Sequence, residues 1–310
     1  MTYFDVYLAI DWSAKNEAAP KKPRADAIWV GERVVLDQGR YVGSSEIYFR
    51  TRTACLEHLR TTLMRHASLN RRVLIGFDFA YGYPAGFADA ADFRGPDPPW
   101  RRVWNELASR IKDLPDGTSN RFEVANDINA RCGSTNLGPF WTHPAGRTYS
   151  HLGPKGANFP YSTASGITLR KLRETEKPPL AVQEVWKLLG AGAVGSQALV
   201  GIPAVAALRD DSALKTFSRV WPFETGFSIE QVPPGTPFVL HAEIWPGVVN
   251  GFLDPLCPIK DQAQVRAMVN WLAKLDTSEE LLPLFERPAG ILDADLATCI
   301  DEEGWILGAR

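Results

Sequence analysis

The sequence predicts an α/β fold, and three observations carry that expectation. Short apolar, β-rich runs stop at or near an acid: Phe4 to Asp11, Arg71 to Asp78, and Pro237 to Pro246 with Glu243 near its end. Apolar residues at helical spacing lie between and after them, as in Leu56, Leu59, Leu63 and Ala67, and again in Val265, Met268, Val269, Leu272 and Leu275. The opening third reads strand, strand, strand, helix, strand, which calls for a sheet covered by helices.

Phe4 to Asp11 is an apolar strand that delivers Asp11 to its C-terminal end, where Trp12-Ser13-Ala14-Lys15-Asn16 makes a polar turn. A solvated loop, Pro20 to Arg24, precedes two further strands, Asp26 to Arg33 and Glu46 to Arg50. Thr53 to Leu69 is an amphipathic helix. Arg71 to Asp78 then reads as a strand buried on both faces, and Asp78 is its anomaly. A carboxylate at the end of a buried strand is costly to desolvate unless a cation or hydrogen-bond donors receive it.

From Ala85 to about Gly235 the character changes to helical patterns broken by glycine- and proline-rich loops, an insertion within one domain spanning residues 1–310. Trp100, Val103, Trp104, Leu107 and Ile111 form one helix face, with Arg101 and Arg102 outside it as a solvated basic face. Cys132 to Gly166 lacks a clear period and carries His143 and His151, which suits an ordered lid or substrate loop. Leu189 to Ser196 matches the GxGxxG pattern of dinucleotide-binding turns. The preceding Val182, Val185, Trp186 and Leu189 recur at helical spacing, so the strand-turn-helix context is missing. The glycines read instead as close packing or a tight turn, with Ser196 and Gln197 facing a ligand. Asp261 reads as a helix cap with Gln264 completing a capping box. Asp293 and Asp295 open a last helix ending near Gly304, where acids are stabilised without catalytic duty.

The 310 residues, 45% of them hydrophobic, suffice for one large domain. A formal charge of -2 supplies no global field for polyanions, so nucleic acid would need a local basic patch. Cys55, Cys132, Cys257 and Cys299 are far apart and form no CxxC pair, as in reduced thiols of a cytosolic protein. No apolar run approaches the ~20 residues of a bilayer span. The expectation is a cytoplasmic protein with no membrane partner; its oligomeric state stays open.

Five short motifs, AIDWS at Ala9 to Ser13, GFDFAYGYPAG at Gly76 to Gly86, GSQALVGIP at Gly195 to Pro203, AEIWPG at Ala242 to Gly247 and DADLATC at Asp293 to Cys299, run in order along the chain. In these motifs and in the element order the chain resembles a bacterial family of uncharacterised, predicted ribonuclease H-like proteins. The resemblance implies a ribonuclease H-like mixed sheet flanked by helices, with the mainly helical insertion 85–235 after the fourth strand. It implies that Asp11 and Asp78 lie side by side and that Asp295, or Asp293 in its place, completes a cluster holding Mg²⁺ or Mn²⁺. Glu243 would be a further ligand or a base that orients water. Ser13 and Lys15 would hold a phosphate oxygen. Tyr81, beside Asp78, is a core or rim aromatic that also suits base stacking. Three readings follow: a metal-dependent phosphoesterase or nuclease acting on nucleic acid or a small phosphorylated ligand, a non-enzymatic ligand-binding or regulatory module, and an ATP-dependent phosphotransferase. That last class usually duplicates the domain, and no second copy is visible.

Overall fold

A computed structural model describes residues 2–36, 40–133, 137–178, 180, 182–229 and 231–309. The strands are β1 (Val6–Asp11), β2 (Ile28–Leu36), β3 (Arg40–Phe49), β4 (Arg72–Phe77), β5 (Tyr161–Ser162), β6 (Thr168–Leu169), β7 (Ser218–Val220) and β8 (Phe238–Glu243). The helices are α1 (Arg52–Ser68), α2 (Phe87–Ala90), α3 (Pro99–Arg110), α4 (Arg121–Cys132), α5 (Gly195–Arg209), α6 (Lys260–Thr277) and α7 (Asp293–Thr298). Six strands form one mixed sheet in the order β3-β2-β1-β4-β8-β7, while β5 and β6 pair as a separate ribbon. β2 runs antiparallel to β1 and β3; β1, β4, β8 and β7 are mutually parallel. The chain is thus an α/β protein with a six-stranded mixed sheet flanked by helices.

The central strand needs two-sided cover because all six residues of β4 are buried. Alternation along the strands sends Val6, Leu8, Ile10, Val73, Ile75 and Phe77 into one core, shared with α1, α3, α4 and α5. Tyr7, Ala9, Leu74 and Leu240 face the other core, against Val265, Met268, Val269 and Leu272 of α6. Arg72 is buried at the start of β4, where its backbone N–H donates to Asp5 Oδ2 at 2.7 Å and its guanidinium pairs with the same carboxylate.

α6 sits close because the sheet is smooth beneath it. Gly31 pairs with Ala9, Ala9 with Gly76, and Gly76 with Ala242, a row of small residues across four strands. A Cβ on Gly31 would lie 2.8 Å from the Val265 carbonyl oxygen, and one on Gly76 would lie 2.5 Å from the Ile244 side chain.

The segment 85–235 holds α2 to α5 and the short strands β5 to β7. Its last strand, β7, returns to the main sheet beside β8. Val182 to Leu189, expected to be helical from its spacing, is irregular, and Lys187 instead bridges Trp141. Within the 132–166 stretch, residues 134–136 lie outside the described residues. Apart from β5 the remainder is irregular but anchored, since Phe140 and Leu152 are in the core. Among the described residues no helix is long and apolar enough to cross a membrane.

The backbone contact beneath α6 has a measurable consequence. Gly31→Ala should destabilise the protein by about 1–3 kcal/mol, the usual range for overpacking against an immovable neighbour. Urea titration should show a lower midpoint at an unchanged slope.

Candidate active site

The site follows from strand register. β1 and β4 pair in parallel with Ile10 opposite Phe77, and the Asp78 N–H donates to the Ile10 carbonyl at 3.2 Å. Asp11 and Asp78 are therefore neighbours at the C-terminal edge. With period-two alternation, Asp11 shares a face with Tyr7 and Ala9, the face that α6 covers. The first turn of α6 places Asp261 on that same face.

Asp261 is the acid that sequence reasoning assigned to another task. The expected capping box is not formed: α6 begins at Lys260 after Ile259, with no side-chain cap. Asp261 Oδ2 instead accepts the Asp26 N–H at 2.6 Å, tying α6 to the turn before β2. Its capping-type spacing concealed this contact, which links residues 235 positions apart.

The three carboxylates reinforce one another. Burial, then the charges of Asp78, Asp261 and Asp26, holds Asp11 well above the usual carboxylate range, with Lys260 opposing. Burial pushes Asp78 up to about 7, although the Trp12 N–H at 2.7 Å and its own amide act in the other direction; Asp261 adds to the rise. Burial likewise raises Asp261. Among the described residues the Asp11 carboxylate has no hydrogen-bond donor and no ion-pair partner.

Asp11 and Asp261 line a cavity of about 640 Å³ together with Ser13, Lys15, Arg121 and Gln197. Asp78 borders a neighbouring cavity of about 120 Å³, and Val194 lies between the two. Ser13 Oγ accepts the Lys15 N–H at 3.3 Å, and Lys15 Nζ stands 3.9 Å from Asp26. Gln197 Nε2 donates to the Trp12 carbonyl, so the side chain expected to face a ligand does reach the cavity while bracing the turn after Asp11.

Three other expected site residues lie outside the lining of the large cavity. Glu243 pairs with Phe77 rather than Asp78, which turns it to the face opposite Asp11, although it lines the small cavity together with Asp78. There Arg173 Nη1 and Nη2 donate to its two oxygens at 2.8 and 2.6 Å, and the Tyr81 N–H donates at 3.0 Å. A carboxylate so engaged is a structural partner, unavailable as metal ligand or base. Tyr81 is 1% exposed, with its ring against Phe79 and Trp104 and its carbonyl accepting from Trp104 Nε1, so it belongs to the core. Asp295 lies on α7 and lines neither cavity; its charge is felt at Cys299. Asp293 pairs with Arg287 at 2.6 Å.

The Arg173 guanidinium also donates through Nε to Glu176 at 2.8 Å and through Nη1 to the Glu303 carbonyl at 2.9 Å. Arg170 binds Glu303 at 2.7 Å, and Arg101 and Arg102 pair with Asp210 and Asp89. Arg101, Arg102, Arg170 and Arg173 of the basic runs that a nucleic-acid backbone would use are thus paired internally, whereas Lys21, Lys22 and Arg24 are exposed. His143 and His151 make local contacts, with Pro144 O and, through the His151 backbone, with Asn126. Pro144 is where the 132–166 stretch meets the large cavity.

Hard oxygen donors from Asp11, Asp78 and Asp261 match the chemistry of Mg²⁺ or Mn²⁺. Among the described residues, however, no group of three or more Asp, Glu, His or Cys side chains is placed to hold a metal ion. A cation here would take one or two carboxylates and complete its shell with water and substrate oxygens, the usual manner of Mg²⁺.

Two outcomes are expected. Removing the Arg173 charge leaves Glu176 and Glu243 buried and unpaired, so Arg173→Met should cost about 3–5 kcal/mol in chemical denaturation. Replacing Glu176 and Glu243 by Leu in the same chain should restore much of that loss. For Asp78 the folded state holds a proton that the unfolded chain releases above about pH 4. Its contribution to stability therefore falls as pH rises from about 4 to about 7 and is level beyond. Asp78→Asn should flatten that slope in urea titrations at pH 5 and 8, and an unchanged slope would assign it to other groups. In comparisons with protein-family models, curated proteins and solved structures, the chain matches none.

Proposed function

We propose that Asp11, Asp78 and Asp261 form the divalent-cation site of a metal-dependent phosphoesterase on a ribonuclease H-like fold. The observation that carries this reading is the convergence of three desolvated carboxylates from three separate elements, raised in pKa and without a paired cation. Structural acids in this protein, such as Glu243 and Asp113, are matched to guanidinium groups instead. The succession of three leading strands, a helix, a strand ending beside an acid, a further strand and a closing helix supports the fold assignment. The closing acid comes from α6 and not from α7.

A bound Mg²⁺ or Mn²⁺ would activate water and neutralise charge on a phosphoryl group. The chain's own residues prepare the place. The Trp12 N–H orients Asp78 through Oδ1, and the Asp26 N–H orients Asp261 through Oδ2. Gln197 holds the Trp12 carbonyl and with it the turn that carries Ser13 and Lys15 beside the cavity. Lys15 is the side-chain cation of that turn, suited to a phosphate oxygen. A binding module without turnover is the second reading, favoured because among the described residues no group of three or more Asp, Glu, His or Cys side chains is placed to hold a metal ion.

Calorimetric titration with Mn²⁺ discriminates them. Wild type should bind, with affinity rising from pH 6 to 8 as Asp78 loses its proton. Asp11→Asn and Asp78→Asn should weaken binding and lower hydrolysis of bis(p-nitrophenyl) phosphate by more than about 100-fold. Equal Mn²⁺ binding by wild type and both variants would sink the metal site. Mn²⁺ binding without turnover on any phosphodiester would favour the module.

A further inference from the structure

Arg121 is a charged group that neither the acid site nor the fold accounts for. It begins α4, is 3% exposed and lines the large cavity. Its Nε donates to Ser196 Oγ at 2.9 Å, and its Nη1 to Asn16 Oδ1 at 2.7 Å and Ser119 Oγ at 2.8 Å, all neutral acceptors. Its guanidinium carbon lies 4.5 Å from the Phe122 ring centroid. Among the described residues no carboxylate is within ion-pair distance, and Nη2 has no acceptor. Arg52 and Arg173 are equally buried, yet each grips a carboxylate with two nitrogens. The nearby acids are already committed, Asp113 to Arg52 and Glu123 to Arg147 and Tyr149. Burial and the charge of Arg52 pull Arg121 down to about 10, the direction expected of a guanidinium lacking a counter-ion.

The start of α5 stands beside it. This 15-residue helix opens at Gly195, its flanking residues Val194, Ser196 and Gln197 line the cavity, and the first-turn amides of Ser196 and Gln197 are ones the helix itself does not use. Ser196 couples the two features, accepting from Arg121 Nε and donating to the Leu188 carbonyl at 2.6 Å. The loop before the helix runs past without bulk: Gly190 and Gly192 adopt φ of +95° and +70°, and a Cβ on Gly195 would strike the Val185 carbonyl at 2.3 Å. A buried, uncompensated guanidinium and a helix start thus stand side by side in the wall of the cavity that Asp11 and Asp261 also line.

We infer that this wall is an anion subsite that receives the terminal phosphate of a small phosphorylated ligand, with Arg121 Nη2 and the α5 amides as donors. The assignment rests on the phosphoester reading of the cavity and narrows its substrate class. A volume of about 640 Å³ suits a metabolite-sized molecule. Asp11, Asp26 and Asp261 in the same lining oppose a polyanion threading through, whereas a ligand with one terminal phosphate places its charge on Arg121. Nucleic acid is the disfavoured partner.

The test uses inorganic phosphate as the probe, against chloride at matched ionic strength. Wild type should gain melting temperature with phosphate and bind it in calorimetry. Arg121→Gln should bind at least about tenfold more weakly, the scale of a lost charge-assisted hydrogen bond. Val194→Asp should do the same by placing its own carboxylate at the helix start, with the melting temperature in chloride confirming that it folds. Asp78→Asn should keep phosphate binding while losing Mn²⁺, so the anion subsite and the metal site fail separately. No phosphate-specific gain in wild type, or unchanged affinity in both the Arg121 and Val194 variants, overturns the subsite. Tighter binding of a single-stranded oligonucleotide than of a nucleoside 5′-monophosphate overturns the small-ligand assignment.

Discussion

The in-register parallel pairing of β1, β4 and β8 decides which face of the sheet each acid serves. With Ile10 opposite Phe77 and Phe77 opposite Glu243, the pleat sends Glu243 into one layer and Asp11 into the other. A slip of one residue in β8 would exchange these destinations, stranding Arg173 without its partner and burying Glu243 beneath α6. The register is held by packing, since Gly31, Ala9, Gly76 and Ala242 make the smooth row on which α6 rests. α6 in turn carries Asp261 to Asp11. Fold and site are one constraint seen from two sides.

The protein treats buried charge in two ways. Around Arg173, every buried charge meets an opposite charge in bidentate or shared geometry, and the ion pairs join residues 170–176, the end of β8 and the chain near Glu303. Such a cluster contributes little net stability relative to apolar packing but is expensive to break on one side only. Around the large cavity Lys15 stands 3.9 Å from Asp26, but other charges go unmatched. Asp11 and Asp78 repel each other without a cation, and Arg121 rests on neutral acceptors without an anion. Opposite kinds of unmet charge in one lining are what a ligand combining a cation and a phosphate would neutralise.

Much of the architecture was legible because periodicity reports burial. β1, β4 and β8, and the helices α1, α3 and α6, coincide closely with runs read from spacing alone. The misses have physical reasons. β7 is three residues long and has no period to detect; only β8 gives it a place in the sheet. Val182, Val185, Trp186 and Leu189 repeat at helical spacing, but Trp186 is buried among Tyr83, Phe87 and Phe140, and tertiary packing overrides the pattern. Asp261 looked like a cap because an acid in a first helical turn is locally sufficient to itself. Arg121 gave no signal, since a missing counter-ion is a property of three-dimensional neighbourhood.

The sequence by itself determined the α/β class and the strand-terminal placement of Asp11 and Asp78, because hydrophobic spacing and turn chemistry act over a few residues. Only the tertiary structure decided which acids meet. Asp261 joins Asp11 across 250 residues of chain through helix-on-sheet packing, while Glu243 is turned from Asp11 by the parity of a strand pleat and taken up by Arg173, and Asp295 is set apart by the position of α7. Local patterns specify the faces of elements. Contact order and register, which are global, specify the company that each charged side chain keeps.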